Sequence, residues 1–441
     1  MKVFIVGIKG VGVCGLATLY KEWGHKVSGS DTDEEFFTDK ILQKLGIAIV
    51  DFDAAHITQD IDLLIYSTAY SADHLQIARA RELGVKTLSY SEALAEIFNG
   101  AQRGIVVTGT HGKTTSTAML GRVLEDAGFD PTVAVGGELL EWGRTARATK
   151  LWKSHFHSLV VVEGDEYQAK FLELNPYAVL LTNIEYDHPD FFKDEEAYRD
   201  AFRKLIVKIP PSGLIIAHES LRDFISTIYR TNAPHASPRI EYFTAADFNG
   251  ALNIFGEHNR TNAAGVLKMA RALGIADEVA LKALANFRGT RRRMEFYTDA
   301  DADIVVIDDY AHHPTEIRAT LAALRERYPE RQIVAVFQPH TYSRTRALLQ
   351  DFAAAFGDAD HVILVETYSS AREKEKSISI NELRHAMSKW HENVEVARTL
   401  DEAHDMTKQK LQTINSKLQT VVVALGAGDL WRIAEALTKA L

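Results

Sequence analysis

The sequence has a single cysteine, Cys14, among its 441 residues. An internal disulfide is therefore excluded, and a reducing, cytoplasmic location is expected. Apolar runs of membrane-spanning length are also missing, so no membrane contact is predicted. Neither a Cys/His cluster with zinc-ligand spacing nor a serine nucleophile elbow occurs. These absences argue against a zinc site and against covalent catalysis.

Basic residues are fewer than acidic ones: 50 Lys and Arg stand against 60 Asp and Glu, a formal net charge of −10 at pH 7. This charge argues against non-specific binding of nucleic acid. An anionic ligand would have to be bound by groups at its own site, because the overall charge of the protein does not attract it. A hydrophobic share of 46% and a charged share of 25% indicate a soluble globular protein. Its length predicts two or three domains.

A phosphate-binding loop is predicted between a short apolar strand, residues 105–107, and a helix that begins near Lys113. Small residues let backbone N–H groups turn toward one point, where the helix dipole favours an anion. Lys113 would neutralise the outer phosphates of a nucleoside triphosphate, and the Thr114 hydroxyl would hold Mg²⁺. The common pattern G-x-x-x-x-G-K-[ST] fails at Val107, so the loop is a shorter variant. The predicted nucleotide-binding residues are Gly109, Thr110, His111, Gly112, Lys113, Thr114 and Thr115.

A second glycine-rich turn follows the apolar strand at residues 3–6. Gly10, Gly12 and Gly15 have the spacing G-x-G-x-x-G, and Asp31 lies about twenty residues beyond them. The pattern favours a pyrophosphate and ribose site, although such glycines can serve only to close a strand-to-helix turn. It does not separate NAD from another nucleoside diphosphate. Two further hydroxyls follow the end of a later strand, those of Ser67 and Thr68.

Polar residues also follow two apolar strands of the middle segment. Glu163 comes after a strand that ends at Val162, and His188 lies in the segment after a strand that ends at Thr182. Since ligands bind at the carboxyl edge of such sheets, both side chains are predicted Mg²⁺ ligands. The neighbouring acids could be ligands or solvated loop residues: Asp165, Glu166, Glu185 and Asp187.

His258, Asn259 and Asn262 crowd the start of a later helix, where asparagine can cap the helix or read an adenine edge. Three arginines, 291–293, follow a glycine at an apparent domain border. A run of charges is usually a solvated face, but here an arginine could reach a transferring phosphoryl group.

The last segment alternates short β-branched strands with helices, which predicts a doubly wound parallel sheet. The strands end in four polar clusters, and four clusters at one edge indicate a ligand site. Substrate contact is predicted for His312, His313, His340 and Arg344.

These sites suggest a reaction in which ATP activates a group carried on a nucleotide. Phosphoryl transfer needs little beyond positioning and charge neutralisation. If the acceptor were a carboxylate, an amine would readily attack the acyl phosphate and give an amide.

The sequence resembles the Mur ligases, ATP-dependent enzymes that build the stem peptide of peptidoglycan. Eight segments occur in the order and spacing of that family: GTHGKTT, VEGDE, TNIEYDH, GEHNRTNA, RRRME, DDYAHHPTEI, FQPHTYSRT and GAGD. The resemblance spans nearly the whole chain. It implies an α/β protein with an N-terminal Rossmann-like domain for the UDP moiety (1–98), a central P-loop ATPase-type domain (99–291) and a C-terminal Rossmann-like doubly wound domain that presents the amino acid (292–441).

The resemblance also implies roles for individual residues. The N-terminal glycines would bind UDP rather than NAD. Thr114 and Glu163 would hold the Mg²⁺ between the β- and γ-phosphates, and His188 a second Mg²⁺. ATP would be contacted by Asn259, Asn262, Arg293 and Asp309. The acyl phosphate and the incoming amino acid would be surrounded by His312, His340, Tyr342 and Arg344.

Within the family, DYAHHPTEI and FQPHTYSRT look most like the member that joins L-alanine to UDP-N-acetylmuramate. A monomer or homodimer acting on these two substrates is expected. A tripeptide-adding recycling ligase is the nearest alternative, which Tyr167 in EGDEYQ favours. An NAD-dependent oxidoreductase or a nucleotide-gated binding protein are alternatives from other classes. Lys9 departs from the family by replacing a glycine of the first loop.

Overall fold

The computed structural model describes residues 1–150, 159–232, 237–368, 376–413 and 419–441. Backbone contacts divide the chain into two compact units. The first comprises Met1–Glu185, Arg199–Asn253 and Thr261–Thr290, and the second Tyr186–Tyr198, Ile254–Arg260 and Arg291–Leu441. Three β-sheets lie within these units, and the predicted α/β class is confirmed. The domain borders after residues 98 and 291 stay predictions.

The first sheet contains five parallel strands. They are β1 (Lys2–Val6), β2 (Lys26–Ser30), β3 (Ala48–Val50), β4 (Leu63–Tyr66) and β5 (Lys86–Ser89), with helices α1 (Val11–Glu22), α2 (Thr38–Lys44), α3 (Leu75–Glu82) and α4 (Tyr90–Asn99). Their order is β3-β2-β1-β4-β5. The strand order reverses between β1 and β4, and ligands bind beyond the carboxyl ends of strands at such a reversal.

The second sheet contains seven strands. They are β6 (Arg103–Thr108), β7 (Thr132–Leu139), β8 (Arg144–Arg147), β9 (Leu159–Glu163), β10 (Ala178–Leu181), β11 (Leu214–His218) and β12 (Arg239–Phe243), and the helices of this part of the chain are α5 (Lys113–Asp126), α6 (Glu195–Ile206), α7 (Arg222–Asn232), α8 (Glu257–Ala272) and α9 (Asp277–Ala285). Their order is β12-β11-β10-β6-β9-β7-β8. β7 and β8 pair antiparallel, whereas the other pairs are parallel.

Helix α1 is covered on two sides within the first unit. Residues 13–20 of the helix are all buried, because β7 and β8 pack against α1 in addition to β1 and β2 of the first sheet. Glu22 at the end of α1 accepts a hydrogen bond from Ala148 N at 2.8 Å and pairs with Arg144. The first two sheets therefore share one packed interface.

The third sheet lies in the second unit. Its strands are β13 (Glu295–Phe296), β14 (Ile304–Asp309), β15 (Gln332–Phe337), β16 (His361–Val365), β17 (Val394–Ala397) and β18 (Thr420–Leu425), with helices α10 (Pro314–Arg327), α11 (Tyr342–Ala347), α12 (Leu349–Ala353), α13 (Ile380–Met387), α14 (Leu400–Thr413) and α15 (Trp431–Ala440). The order is β13-β14-β18-β15-β16-β17, parallel except at β13. None of the helices in the described ranges has the length and apolar character needed to cross a bilayer.

Candidate active site

The loop between β6 and α5 has a backbone that requires glycine at its end. Gly112 has φ +80°, and a Cβ there would collide with Asn262 Oδ1. Earlier in the loop, Thr110 N and His111 N donate to the O and Oδ1 atoms of Asn183, at 3.2 and 2.9 Å. The loop is therefore held against the segment that follows β10. Asn183 was not singled out from the sequence, since an asparagine after a strand carries no special pattern.

Lys113, the first residue of α5, is held inside this loop. Its Nζ donates to the carbonyl oxygens of Gly109 and Thr110, both at 2.7 Å, and to Glu166 Oε1 at 2.9 Å. Burial opposes the ammonium charge, but the Glu166 and Glu163 carboxylates outweigh it and raise the pKa of Lys113 above its ordinary value. Lys113 is thus a permanent cation at the centre of the loop. A bound phosphate has to replace some of these partners.

Thr114 and Glu163 meet as the sequence predicts. The Thr114 hydroxyl donates to Glu163 Oε1 at 2.9 Å, and Gly136 N donates to Glu163 Oε2 at 2.6 Å. A hydroxyl and a carboxylate are hard oxygen donors of the kind that Mg²⁺ takes, so the pair fits the predicted ion. Gly136 on β7 was missed, although a Cβ there would lie 2.5 Å from Glu163 Oε2.

The other predicted nucleotide-binding residues near this loop differ in their contacts and burial. His111 Nε2 lies 3.2 Å from Glu185 Oε2, and Thr115 is buried in the first turn of α5. Asn262 lies against Gly112. Of the predicted ATP-contacting residues in the first unit, the structure thus brings Lys113, Thr114 and Asn262 to one loop. Their contact with nucleotide stays a prediction.

The glycine-rich turn after β1 is organised by packing. A Cβ on Gly12 would lie 2.7 Å from the Tyr90 ring, and one on Gly15 would lie 3.4 Å from Thr145 Oγ1. Gly10 precedes α1 as its N-cap residue. These glycines let α1 approach α4 and β8 closely, which is the alternative that the sequence left open beside ligand binding.

Asp31 and the hydroxyls after β4 lie at the carboxyl ends of the first sheet's strands. Asp31 Oδ2 accepts from Lys9 N at 2.7 Å and Oδ1 from Thr32 N at 2.8 Å. Ser67 Oγ accepts from Ala69 N at 3.3 Å, and Thr68 is exposed. Asp31 therefore shapes the turn, while its predicted contact with substrate is untested.

In the second unit, Asp187 and Arg344 form a buried ion pair. Arg344 Nε donates to Oδ1 at 2.7 Å and Nη2 to Oδ2 at 3.2 Å. Burial would raise the pKa of Asp187, but the Arg344 guanidinium and His188 hold it far below its ordinary value. His188 has a left-handed backbone, φ +57°, and its Nε2 lies 3.7 Å from Asp187 Oδ2. The predicted residues His188 and Arg344 are thus joined through Asp187.

His312 lies in the same cluster as a neutral imidazole. Burial lowers its pKa to about 3. Nδ1 lies 3.0 Å from Tyr310 O and 3.3 Å from Glu316 Oε2. Since both neighbours accept hydrogen bonds, Nδ1 carries the proton and Nε2 keeps its lone pair. His312 therefore presents a hydrogen-bond acceptor, the kind of group that can bind an amine.

Other predicted residues complete the second unit's polar edge. The His340 ring lies 6.1 Å from that of His312 and stacks on Tyr368, with 5.6 Å between ring centroids. Tyr342 is buried at the start of α11. His313 accepts a hydrogen bond from Thr315 N and caps α10, and its contact with substrate stays a prediction.

Arg293 and Asp309 have different local roles. Arg293 Nη1 lies 3.7 Å from Glu316 Oε1, and its guanidinium stacks on Tyr310. Asp309 accepts from Met294 N and Ala311 N, both at 2.8 Å, and burial raises its pKa to about 6. The neighbouring Arg292 is bound to Asp308 at 2.9 Å. Arg292 therefore has the shorter ion pair of the two arginines, and we assign it a structural role.

His258 and Asn259 begin α8. Burial and the nearby Arg293 lower the pKa of His258 to about 4. Asn259 Nδ2 donates to Phe255 O at 2.8 Å, so this side chain stabilises the helix start. A role in binding adenine stays a prediction for both residues.

Three α/β sheets, a glycine-bounded loop around a buried lysine and an oxygen pair suited to Mg²⁺ define a nucleotide-dependent enzyme of the phosphate-loop class. The chain belongs to the Mur ligase family. Three models match it: the Mur ligase family catalytic domain at residues 2–102, the Mur ligase middle domain at 107–270 and the Mur ligase glutamate ligase domain at 292–428.

Individual relatives cover the whole chain. It is 37% identical to UDP-N-acetylmuramate–L-alanine ligase of Desulfitobacterium hafniense, over 99% of each sequence. It is 35% identical to the ligase of the same name from Sulfurihydrogenibium sp., over 100% of this chain and 98% of the relative. The crystal structure of UDP-N-acetylmuramate–alanine ligase from Thermotoga maritima matches with a TM-score of 0.78 and 27% identity, covering 100% of this chain and 99% of that one.

Proposed function

We propose that this protein is an ATP-dependent ligase that joins L-alanine to the lactyl carboxylate of UDP-N-acetylmuramate in peptidoglycan precursor synthesis. The observation that carries this proposal is the similarity to ligases of that name from end to end of the chain. The loop around Lys113 and the cluster around Arg344 supply groups suited to the two halves of such a reaction.

The first half is phosphoryl transfer. The lactyl carboxylate attacks the γ-phosphorus of ATP, the bond to the bridging oxygen breaks, and ADP leaves with an acyl phosphate formed. Lys113 would exchange its carbonyl and Glu166 partners for phosphate oxygens and spread the developing charge. Mg²⁺, when bound, supplies further neutralisation of the phosphate oxygens. Thr114 and Glu163 would hold one ion, and His188 a second.

The second half is amide formation. The amine of L-alanine attacks the acyl carbon, and the carbon–oxygen bond to phosphate breaks; the proton that the amine loses leaves with the inorganic phosphate. His312 Nε2, unprotonated at neutral pH, would accept a hydrogen bond from the amine and aim it. Arg344, oriented by Asp187, would meet a carboxylate or phosphate oxygen. His340 and Tyr342 would line the same pocket.

The three predicted domains divide this work. Residues 1–98 would bind the UDP end, residues 99–291 ATP, and residues 292–441 L-alanine. Arg293, Asp309, His258, Asn259 and Asn262 would contact the nucleotide of ATP. The protein would act in the cytoplasm as a monomer or homodimer, without a nucleic-acid or membrane partner.

Phosphate release tests the proposal. ATP, Mg²⁺ and UDP-N-acetylmuramate are supplied with L-alanine, glycine, L-serine or the tripeptide of the peptidoglycan stem, one at a time. L-alanine is expected to give the highest kcat/KM. Preference for the tripeptide would identify the recycling ligase instead, an outcome that Tyr167 makes worth including. Absence of phosphate release with every amine would refute the ligase assignment.

A further inference from the structure

Lys9 lies in the turn between β1 and α1, and only 8% of the residue is exposed. Its Nζ donates to Thr32 O at 2.9 Å and to Glu34 O at 2.8 Å, and it lies 3.3 Å from Asp39 Oδ1. Two of the three N–H donors of the ammonium group are thus hydrogen bonded to carbonyl oxygens, and the charge forms an ion pair with Asp39. The charge of Lys9 is therefore directed at residues 32–39.

The backbone of Lys9 binds both ends of the same segment. Lys9 N donates to Asp31 Oδ2 at 2.7 Å, and Thr38 Oγ1 donates to Lys9 O at 2.5 Å. We call residues 31–39 the acidic segment. It runs from the end of β2 to the start of α2, beside the turn that precedes α1.

The acidic segment is poorly suited to order by itself. It contains five acidic residues and no basic one: Asp31, Asp33, Glu34, Glu35 and Asp39. Mutual repulsion of these charges favours an extended, mobile chain. The Lys9 ammonium offsets this repulsion, because it places a cation beside the segment and binds two of its carbonyl groups, those of Thr32 and Glu34.

We propose that Lys9 is a positioning residue for the nucleotide end of the substrate, which orders the acidic segment in advance and does not itself contact the phosphates. The inference rests on the proposed function, since it takes the UDP moiety to bind at the edge of the first sheet. An ordered segment removes part of the entropy cost that a ligand would otherwise have to offset.

The test compares UDP with uridine, which lacks the phosphates. Calorimetric titration of the full-length protein and of the Lys9→Met variant gives both dissociation constants. Positioning predicts that the Kd values of UDP and uridine rise by the same factor, about tenfold. The Kd of ATP should stay unchanged, because Lys113 and Thr114 are untouched.

Two results would overturn the role of Lys9. If UDP weakens while uridine does not, Lys9 contacts the diphosphate directly. If neither Kd changes, the segment needs no help from Lys9. Failure of the unaltered protein to bind UDP or uridine would instead refute the proposed function together with this inference, so the two failures are distinguishable.

A second variant and a control keep the test independent of folding problems. Thr38→Val removes the hydroxyl that donates to Lys9 O and should shift both Kd values in the same direction by less. Lys44→Met, at an exposed position in α2, should leave them unchanged. Hydrogen exchange of the amides in residues 32–39 should accelerate in the first two variants and not in the control; equal exchange in all of them would overturn the proposal.

Discussion

Arg344 and Asp187 are 157 positions apart in sequence and form a buried, two-point ion pair, with Nε–Oδ1 at 2.7 Å and Nη2–Oδ2 at 3.2 Å. The pair ties α11 to the segment that carries His188. Because both charges are buried away from water, each is stabilised mainly by the other.

Replacement of Asp187 by Asn should therefore disturb both stability and catalysis. Loss of one charge from a buried pair is expected to lower the free energy of unfolding by about 3 kcal/mol. Arg344 would lose its orientation, so phosphate release with L-alanine should fall while the Kd of ATP is retained. Urea denaturation and the phosphate assay measure the two effects. Asp301→Asn, at an exposed position of the second unit, is the control and should change neither.

Replacement of Lys113 by Ala should abolish phosphate release and leave the binding of UDP-N-acetylmuramate intact. The reason is that the Lys113 ammonium is held within the loop after β6 by the carbonyl groups of Gly109 and Thr110, whereas the UDP moiety is predicted to bind at the first sheet. A coupled phosphate assay and a calorimetric titration with the UDP-sugar separate the effects. Lys204→Ala, on the exposed face of α6, serves as control. Full activity of the Lys113 variant would refute the assignment.

Gly136→Ala tests whether the oxygen atoms of Thr114 and Glu163 hold the metal ion. The added Cβ would stand 2.5 Å from Glu163 Oε2, so the carboxylate has to turn away from Thr114. We expect the Kd of Mn²⁺ in the presence of ADP to rise about tenfold, as for other residues that orient a metal ligand. Electron paramagnetic resonance of free Mn²⁺ measures this without turnover.

Gly357→Ala is the matched control, because a Cβ at Gly357 meets nothing within 4 Å. An unchanged Mn²⁺ affinity in the Gly136 variant would show that Glu163 does not hold the ion.

The pH dependence of stability should reveal the neutral state of His312. Its pKa falls from an ordinary 6.5 to about 3 on folding, so between these values the unfolded chain binds a proton that the folded protein does not. The neutral imidazole therefore costs no folding stability above pH 6.5. Below that value the free energy of unfolding decreases as the pH falls. Between pH 7 and pH 5 the loss is about 2 kcal/mol.

His312→Gln removes this contribution, so the variant should gain stability relative to the unaltered protein as the pH falls from 7 to 5. The difference between the two curves is needed because burial raises the pKa values of Asp308 and Asp309 to about 6, which has the opposite sign. Parallel urea titrations at both pH values give the result; a constant difference would show that folding does not lower the pKa of His312.

Much of the fold could be predicted because the central parallel strands are buried on both faces. Strands β6, β9 and β14 are short apolar runs, and Thr114, Glu163 and His312 lie at or after their carboxyl ends. The β7–β8 hairpin escaped prediction, since its strand TVAVGGEL mixes glycine with polar residues. Gly136 was missed with it.

The long-range pairs of the site could not be predicted for a different reason. Asp187 was left open between a metal ligand and a solvated acid, because nothing local marks it as the partner of Arg344. The sequence predicts that Lys113 faces phosphate. Its pairing with Glu166, 53 positions away along the chain, depends on β6 and β9 being neighbours in the sheet. Such information arises only from the packing.

The cover that β7 and β8 place over α1 has a practical consequence for anyone who cuts this chain. A recombinant fragment of residues 1–98 would carry the whole five-stranded sheet yet expose a helix whose residues 13–20 are all buried in the intact protein. The exposed apolar surface of α1 would promote aggregation or a loosely folded state. Residues 1–98 are therefore best produced together with the segment that carries β7 and β8.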